Sequence, residues 1–167
     1  VGFYSSLDLG VEAVEEAILS DNQNSDLLHS CFDFLESLSD REILIQSCNL
    51  KRFVHGQDLC KEGDHSSEIY FLKDGSLEVI KDRNGSEVRL TKLSSGAMTG
   101  EMAFYSGDVR SATVRASSPS WVYVLDDASL RRLRHANPSL ASKFDLYVIK
   151  KLTNTLIRAN KLIASLS

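Results

Sequence analysis

The sequence predicts an α+β fold: an antiparallel β jelly-roll barrel flanked by N-terminal helices and followed by a C-terminal helical hairpin that runs into a long helix. Three observations predict it. Short runs rich in β-formers recur between about residues 50 and 125, with Gly56, Gly63, Gly75, Gly85, Gly96, Gly100 and Gly107 at turn positions. Asn84-Gly85 separates two such runs and is the strongest short hairpin signal, because both residues accept positive φ. Apolar spacings of three and four, which mark helices, dominate the two ends of the chain.

The elements follow in order. From residue 6 to 47 the chain reads as helices. Leu9, Val14, Ala17 and Ile18 form one stripe, with Glu12, Glu15 and Glu16 largely off it. Residues 21–26 are a polar break, and Leu28, Cys31, Phe32, Leu35 and Leu38 form a second apolar face. Ser39 and Glu42 have capping-box spacing, which predicts a short helix beginning at Asp40. Strands are expected at residues 68–72, 77–80, 88–90, 112–116 and 121–125. Asp126 or Asp127 can cap a short helix ending near Asn137, and Pro138 suits the first position of a long one, where no amide proton is needed. Leu152, Leu156, Ala159, Ile163 and Leu166 alternate spacings of four and three, an a/d-type seam. Two readings of that seam stand: a helix packed on its own barrel, or a homodimer through the C-terminal helix. The expected division is residues 1–24 as an N-terminal helical segment or linker, 25–137 as the barrel with its flanking helices, and 138–167 as the C-terminal helix.

Bulk properties narrow the function. The 167 residues are 43% hydrophobic and 25% charged, an ordinary globular mix. A net charge of −4 argues against a nucleic-acid partner, which favours a basic excess. Three cysteines with no CxxC pair fit a reducing, cytoplasmic setting. No apolar run reaches the ~20 residues of a membrane span, and the start lacks both a signal-peptide shape and an initiator Met, which reads as a piece of a larger protein. His29, His55, His65 and His135 fall in no metal-ligand spacing, and no P-loop, GxSxG or GxGxxG pattern occurs. The sequence therefore predicts binding rather than catalysis, with no metal.

The chemistry concentrates in one stretch, Gly100-Glu101-Met102-Ala103-Phe104-Tyr105-Ser106-Gly107-Asp108-Val109-Arg110-Ser111-Ala112-Thr113-Val114. It sets a carboxylate, a guanidinium and a hydroxyl around a short glycine-framed turn. Arg110 offers an always-charged planar fork suited to a phosphate. Glu101 repels phosphate but accepts from a sugar hydroxyl, and Ser111 can donate to a phosphate oxygen or a base edge. Residues 102–104 suit a single helical turn whose first amides face an anion. Taken singly, each residue has a plainer reading: a solvated Arg, its Glu salt-bridge partner, ordinary strand hydroxyls. Together, at this spacing and between strands, they favour a ligand with both a sugar diol and a phosphate.

This stretch resembles the phosphate-binding cassette of cyclic nucleotide-binding domains: a Gly-Glu pair, an apolar residue and Ala, a short variable stretch, then Arg-Ser-Ala-Thr-Val. His55-Gly56-Gln57, Lys61-Glu62-Gly63-Asp64 and Tyr70-Phe71-Leu72-Lys73-Asp74-Gly75 resemble the family's preceding turns and strand. The resemblance covers about residues 32–137. It implies cAMP or cGMP as ligand, Glu101 on the ribose 2′-hydroxyl, Arg110 on the cyclic phosphate, and amides near Gly100, Met102 and Ala112 completing a cradle that includes Ala103. Ser111 does not decide the base, since serine there occurs with both nucleotides. Thr99 stands where an apolar residue is common, and Val109 replaces a frequent proline; neither removes a ligand-contacting group. The resemblance also implies a sensing module that relays occupancy through its C-terminal helix.

At the ends, Phe3 to Glu16 resembles the last helix of a STAS domain, and Leu133 to Leu166 resembles the tail of such modules on sulfate-permease-type anion transporters. That implies the cytosolic domain of a membrane transporter. The competing expectation is a ligand-free scaffold for protein interaction or dimerisation. A third is another phosphate-bearing anion in the same cradle.

Overall fold

Two four-stranded antiparallel sheets face one another in the computed structural model, which describes residues 31–167. The first sheet runs in the order β1 (Asn49–Phe53), β8 (Ser120–Asp126), β3 (Glu68–Asp74), β6 (Met98–Thr99). The second runs β2 (Asp58–Cys60), β7 (Thr113–Ala116), β4 (Ser76–Arg83), β5 (Ser86–Ser94). Four helices complete the described chain: α1 (Leu38–Gln46), α2 (Glu101–Ser106), α3 (Asp127–Ala136) and α4 (Pro138–Ser165). This is the α+β jelly-roll architecture expected. The stripe from Leu9 to Ile18 and the segment 1–24 lie outside the described residues.

The strand sequence of β3 shows how two cores arise. Ile69, Tyr70, Phe71 and Leu72 are all buried, because the strand is covered on both faces. Tyr70 and Leu72 join Phe53, Leu77, Val114, Val122 and Val124 between the sheets. Ile69 and Phe71 join Tyr123, Leu125 and Met98 on the outer face, where Phe32, Leu44, Leu130, Leu133, Leu140, Phe144 and Val148 cover them. Alternation along a strand sends successive side chains to opposite faces, so one apolar run serves a roll core and a helix-side core. Strand β5 is an edge strand, exposed almost throughout, and carries Glu87, Arg89 and Lys92, which blunt edge pairing.

Asn84 (φ 57°) and Gly85 (φ 81°) make the two-residue β4–β5 turn, as the dipeptide predicts. Asp126 caps α3, accepting from the Ser129 amide at 2.7 Å. Pro138 opens α4 behind the Asn137 cap, which accepts from the Leu140 amide.

Some expectations are corrected. The N-cap of α1 is Ser37, not Ser39: its hydroxyl accepts from the Asp40 amide at 3.3 Å, so the helix starts two residues early. The apolar face through Leu38 is not one helix: Phe32 and Leu35 are buried from a turn closed by the Leu35 amide on the Phe32 carbonyl, and Leu38 is 63% exposed. Strands β1, β2 and β6 carried no strand pattern that was read. β1 has a single buried residue, Phe53, and β6 is two residues long.

Candidate functional site

The site is the junction of β6, α2 and β7. Gly100 lies between β6 and α2 at φ 89°, a conformation natural to glycine. A Cβ there would come within 2.7 Å of Arg110 Nη1 and 2.8 Å of the Glu68 carbonyl oxygen, so the backbone approach itself requires glycine. No side chain caps α2, so its first amides are left to other acceptors. Gly107, also at positive φ, ends the turn. The chain then reaches Arg110 through Val109, with no proline needed.

Backbone bonds hold Arg110 in place: its amide donates to the Asp64 carbonyl and its carbonyl accepts from the Gly63 amide. The Glu62 amide donates to Thr113 Oγ1 at 3.0 Å, so the 61–64 turn is strapped to the cassette. The Arg110 side chain is 3% exposed. Its Nε donates to Ser66 Oγ (2.7 Å), Nη1 to the Gly100 carbonyl (2.9 Å) and Nη2 to the Glu68 carbonyl (2.7 Å). The guanidinium lies 5.3 Å over the Tyr70 ring. The Tyr70 phenol donates to Glu68 Oε2 at 2.8 Å; burial foremost, and then that carboxylate, push its pKa up. Burial likewise raises the Cys60 thiol.

Glu101 opens α2 and is 8% exposed. Its carboxylate does not pair with Arg110, contrary to the plainer reading of the two residues. It pairs with Lys151 Nζ of α4 at 3.0 Å, and the same ammonium donates to the Met98 carbonyl. Arg110 and Glu101 nonetheless meet at one peptide unit, since Arg110 holds the carbonyl that precedes Glu101.

The remaining expected residues divide. Ala103 is buried beneath α2, whereas Met102 is 57% exposed. Ser111 is exposed, and its carbonyl accepts from Lys81 Nζ at 2.7 Å. Ala112 is half-buried where the chain enters β7. Leu152, the first residue of the seam, packs against the helix-side core. Beside the cassette lies an open depression of about 380 Å³ lined by Glu62, Ile80, Asp82, Glu87 and Thr113. Its acids are engaged: Glu62 with Lys81 at 2.9 Å, Glu87 with Arg115 at 2.8 Å, and Asp82 Oδ1 with the Gly85 amide. The Asp82 amide and Lys81 hold Glu62 below the ordinary carboxylate range. Among the described residues no cluster of three metal-ligating side chains occurs, and no helix is long and apolar enough to cross a membrane.

Sequence reasoning missed Ser66, the Glu68 carbonyl, Tyr70 and Lys151. Tyr70 was read as strand, and its place under Arg110 leaves no sequence signal. Lys151 lies fifty positions from Glu101 and has none either.

Known proteins share this sequence pattern and fold. The cyclic nucleotide-binding domain family matches residues 50–137. The cAMP-activated global transcriptional regulator CRP of Pasteurella multocida is 30% identical over 116 residues, covering 68% of this chain and 56% of that protein. A cAMP-dependent protein kinase regulatory subunit of Mycosarcoma maydis is 33% identical over 95 residues, 57% of this chain and 17% of the relative. The chain thus spans about half the length of the bacterial regulators it matches. A crystal structure of a cyclic nucleotide-binding domain from Methylobacillus flagellatus shares the fold at TM-score 0.76 and 24% identity, covering 89% of this chain and 86% of that one. The Gly-Glu and Arg-Ser-Ala-Thr-Val halves of the cassette meet at one peptide, on a two-sheet roll, inside a stretch that takes up more than half the sequence, and on these grounds the chain belongs to the cyclic nucleotide-binding domain family.

Proposed function

We propose that this chain is a regulatory module that binds cAMP or cGMP, with the cyclic phosphate at Arg110, the ribose 2′-hydroxyl at Glu101, and Gly100, Met102, Ala103, Ser111 and Ala112 lining the cradle. One observation carries the reading. Arg110 is buried, yet among the described residues it forms no ion pair: its three partners are neutral oxygens, two carbonyls and a serine hydroxyl. A guanidinium has five N–H groups, so one on each Nη remains to be given. A buried charge held only by dipoles is costly, and a monoanion on those two N–H groups would relieve it through charge-assisted bonds of about 1.5–3 kcal/mol each.

Occupancy would be relayed through α4, which already touches the cassette by Lys151 and by Asp145, whose Oδ1 accepts from the Tyr105 hydroxyl at 2.7 Å. For the relay to act, ligand must bind two placements of α4 with different affinity. The proposed setting is a larger signalling or transport protein; its sulfate-permease form rests on the sequence resemblance of the two ends alone. Calorimetric titration with cAMP and cGMP is the test. Heat from either, lost in Arg110→Ala, supports the module; no heat and no thermal stabilisation by millimolar ligand removes it.

A second reading is favoured by α4. Leu156, Ile163 and Leu166 are 61%, 64% and 80% exposed, so the seam beyond Leu152 is not packed on its own barrel. It suits a second copy of this chain in a homodimer, with the domain as scaffold. Sedimentation of the chain and of Leu156→Glu separates the readings: a dimer that the substitution dissociates, with no nucleotide bound, favours the scaffold.

A further inference from the structure

We infer that Lys151 is a positioning residue for Glu101, holding the carboxylate by one oxygen from the helix side and leaving the other for a ribose 2′-hydroxyl. The inference rests on the cyclic nucleotide reading of the cassette.

The argument begins with burial. A carboxylate that is 8% exposed needs a partner, and the cassette's own cation does not supply one, because Arg110 donates to Gly100, Glu68 and Ser66. Lys151 supplies it, with Nζ at 3.0 Å from Oε1. The ammonium is itself fixed, since it also donates to the Met98 carbonyl, three residues before Glu101. Lys151 thus bridges the end of β6 and the start of α2. A lysine has three donors, and two acceptors on either side of Gly100 define where it sits.

The direction of approach matters as much as the contact. Lys151 follows Tyr147 and precedes Leu152, both packed against the helix-side core. Arg110 stacks on Tyr70, a member of the roll core. The two cations therefore address the Gly100–Glu101 unit from opposite layers. No bond to a described residue takes Glu101 Oε2, and no such atom is sealed from solvent without a partner, so that oxygen is free to accept. Lys151 orients the carboxylate without occupying the acceptor that a ribose would use. It also makes the ribose contact the point at which α4 feels a ligand.

The reading predicts a specificity effect confined to one hydroxyl. Affinities of the 167-residue chain for cAMP, cGMP and their 2′-deoxy forms would be measured for the wild type, Lys151→Met, Lys151→Gln and Lys151→Arg. Lys151→Met is expected to weaken whichever ribonucleotide binds by about tenfold, the scale of one charge-assisted bond. Its 2′-deoxy counterpart should change by less than about twofold on the same scale. Lys151→Arg should keep the preference for the 2′-hydroxyl. Lys151→Gln, which retains a donor for the Met98 carbonyl but no charge, should behave as Lys151→Met and serves if that variant does not fold. Equal weakening of both nucleotides would reduce Lys151 to helix docking and overturn the inference, as would no change in either. Wild type that binds none of the four nucleotides would instead overturn the proposed function, a distinct result.

Discussion

Gly100→Ala should be among the most damaging single-methyl additions in this chain, and its cost can be worked from the structure. The backbone at φ 89° disfavours any Cβ by about 1–2 kcal/mol. The new methyl would sit 2.8 Å from the Glu68 carbonyl oxygen and 2.7 Å from Arg110 Nη1. The first is backbone of the central strand β3 and yields little. The second can move, but only by giving up its 2.9 Å bond to the Gly100 carbonyl, a charged hydrogen bond worth about 1.5–3 kcal/mol. The total is about 2.5–5 kcal/mol. Gly85→Ala is the control, because Gly85 has φ 81° with open space around its missing Cβ, so that strain alone, about 1–2 kcal/mol, applies. Urea unfolding of both variants, compared by midpoint at constant slope, measures the difference. The gap should also shrink in an Arg110→Ala background, where Nη1 is gone. Coincident midpoints for Gly100→Ala and Gly85→Ala would refute the claim that Arg110 is packed against this glycine.

Two further predictions concern the helices that carry the site. Asp126→Ala removes the α3 cap and should cost about 1 kcal/mol, read as a lower urea midpoint with an unchanged slope. The Ser129 amide holds the Asp126 carboxyl below its ordinary value, and hydrogen bonds from Arg134 do the same for Asp145. Both groups are depressed in the folded state, so the unfolded chain takes up protons first. Their contribution is present above the unfolded value near pH ~4 and is lost as pH falls through the folded values. Urea midpoints should therefore drop as pH falls below about 4, and Asp145→Asn should flatten that drop while lowering stability at neutral pH. A profile as steep in Asp145→Asn as in wild type would exclude Asp145 as a contributor.

What could be read in the sequence follows from how local each signal is. Asn84-Gly85 requires only two residues with positive φ, and the hairpin formed there. The Asp126-Asp127 pair and Pro138 act within four residues of themselves, and both helix starts were legible, although the Asn137 cap was not read. The approach of Arg110 to the Gly100–Glu101 peptide was legible for the same reason: Gly100 and Glu101 sit on one turn, and Arg110 lies ten positions beyond Gly100 across a short loop. The capping error at Ser39 has a local cause as well. Ser37 and Ser39 are both hydroxyls within reach of the same helix start, their Oγ atoms 2.9 Å apart, and composition does not rank them. The charge pairing was not legible. Sequence proximity makes Glu101 and Arg110 look like partners, but Arg110 is drawn away to Ser66, Glu68 and Gly100, and Glu101 is neutralised by Lys151 of α4. Those contacts depend on β3 lying beside β6 and on α4 folding back over the sheet, which no window of sequence encodes. Had the nearer pairing formed, each charge would satisfy the other and the cassette would have nothing to offer an anion. Because the carboxylate is paired from outside the roll, the guanidinium is left with neutral partners alone, and it is on this long-range division of partners that the proposed phosphate contact rests.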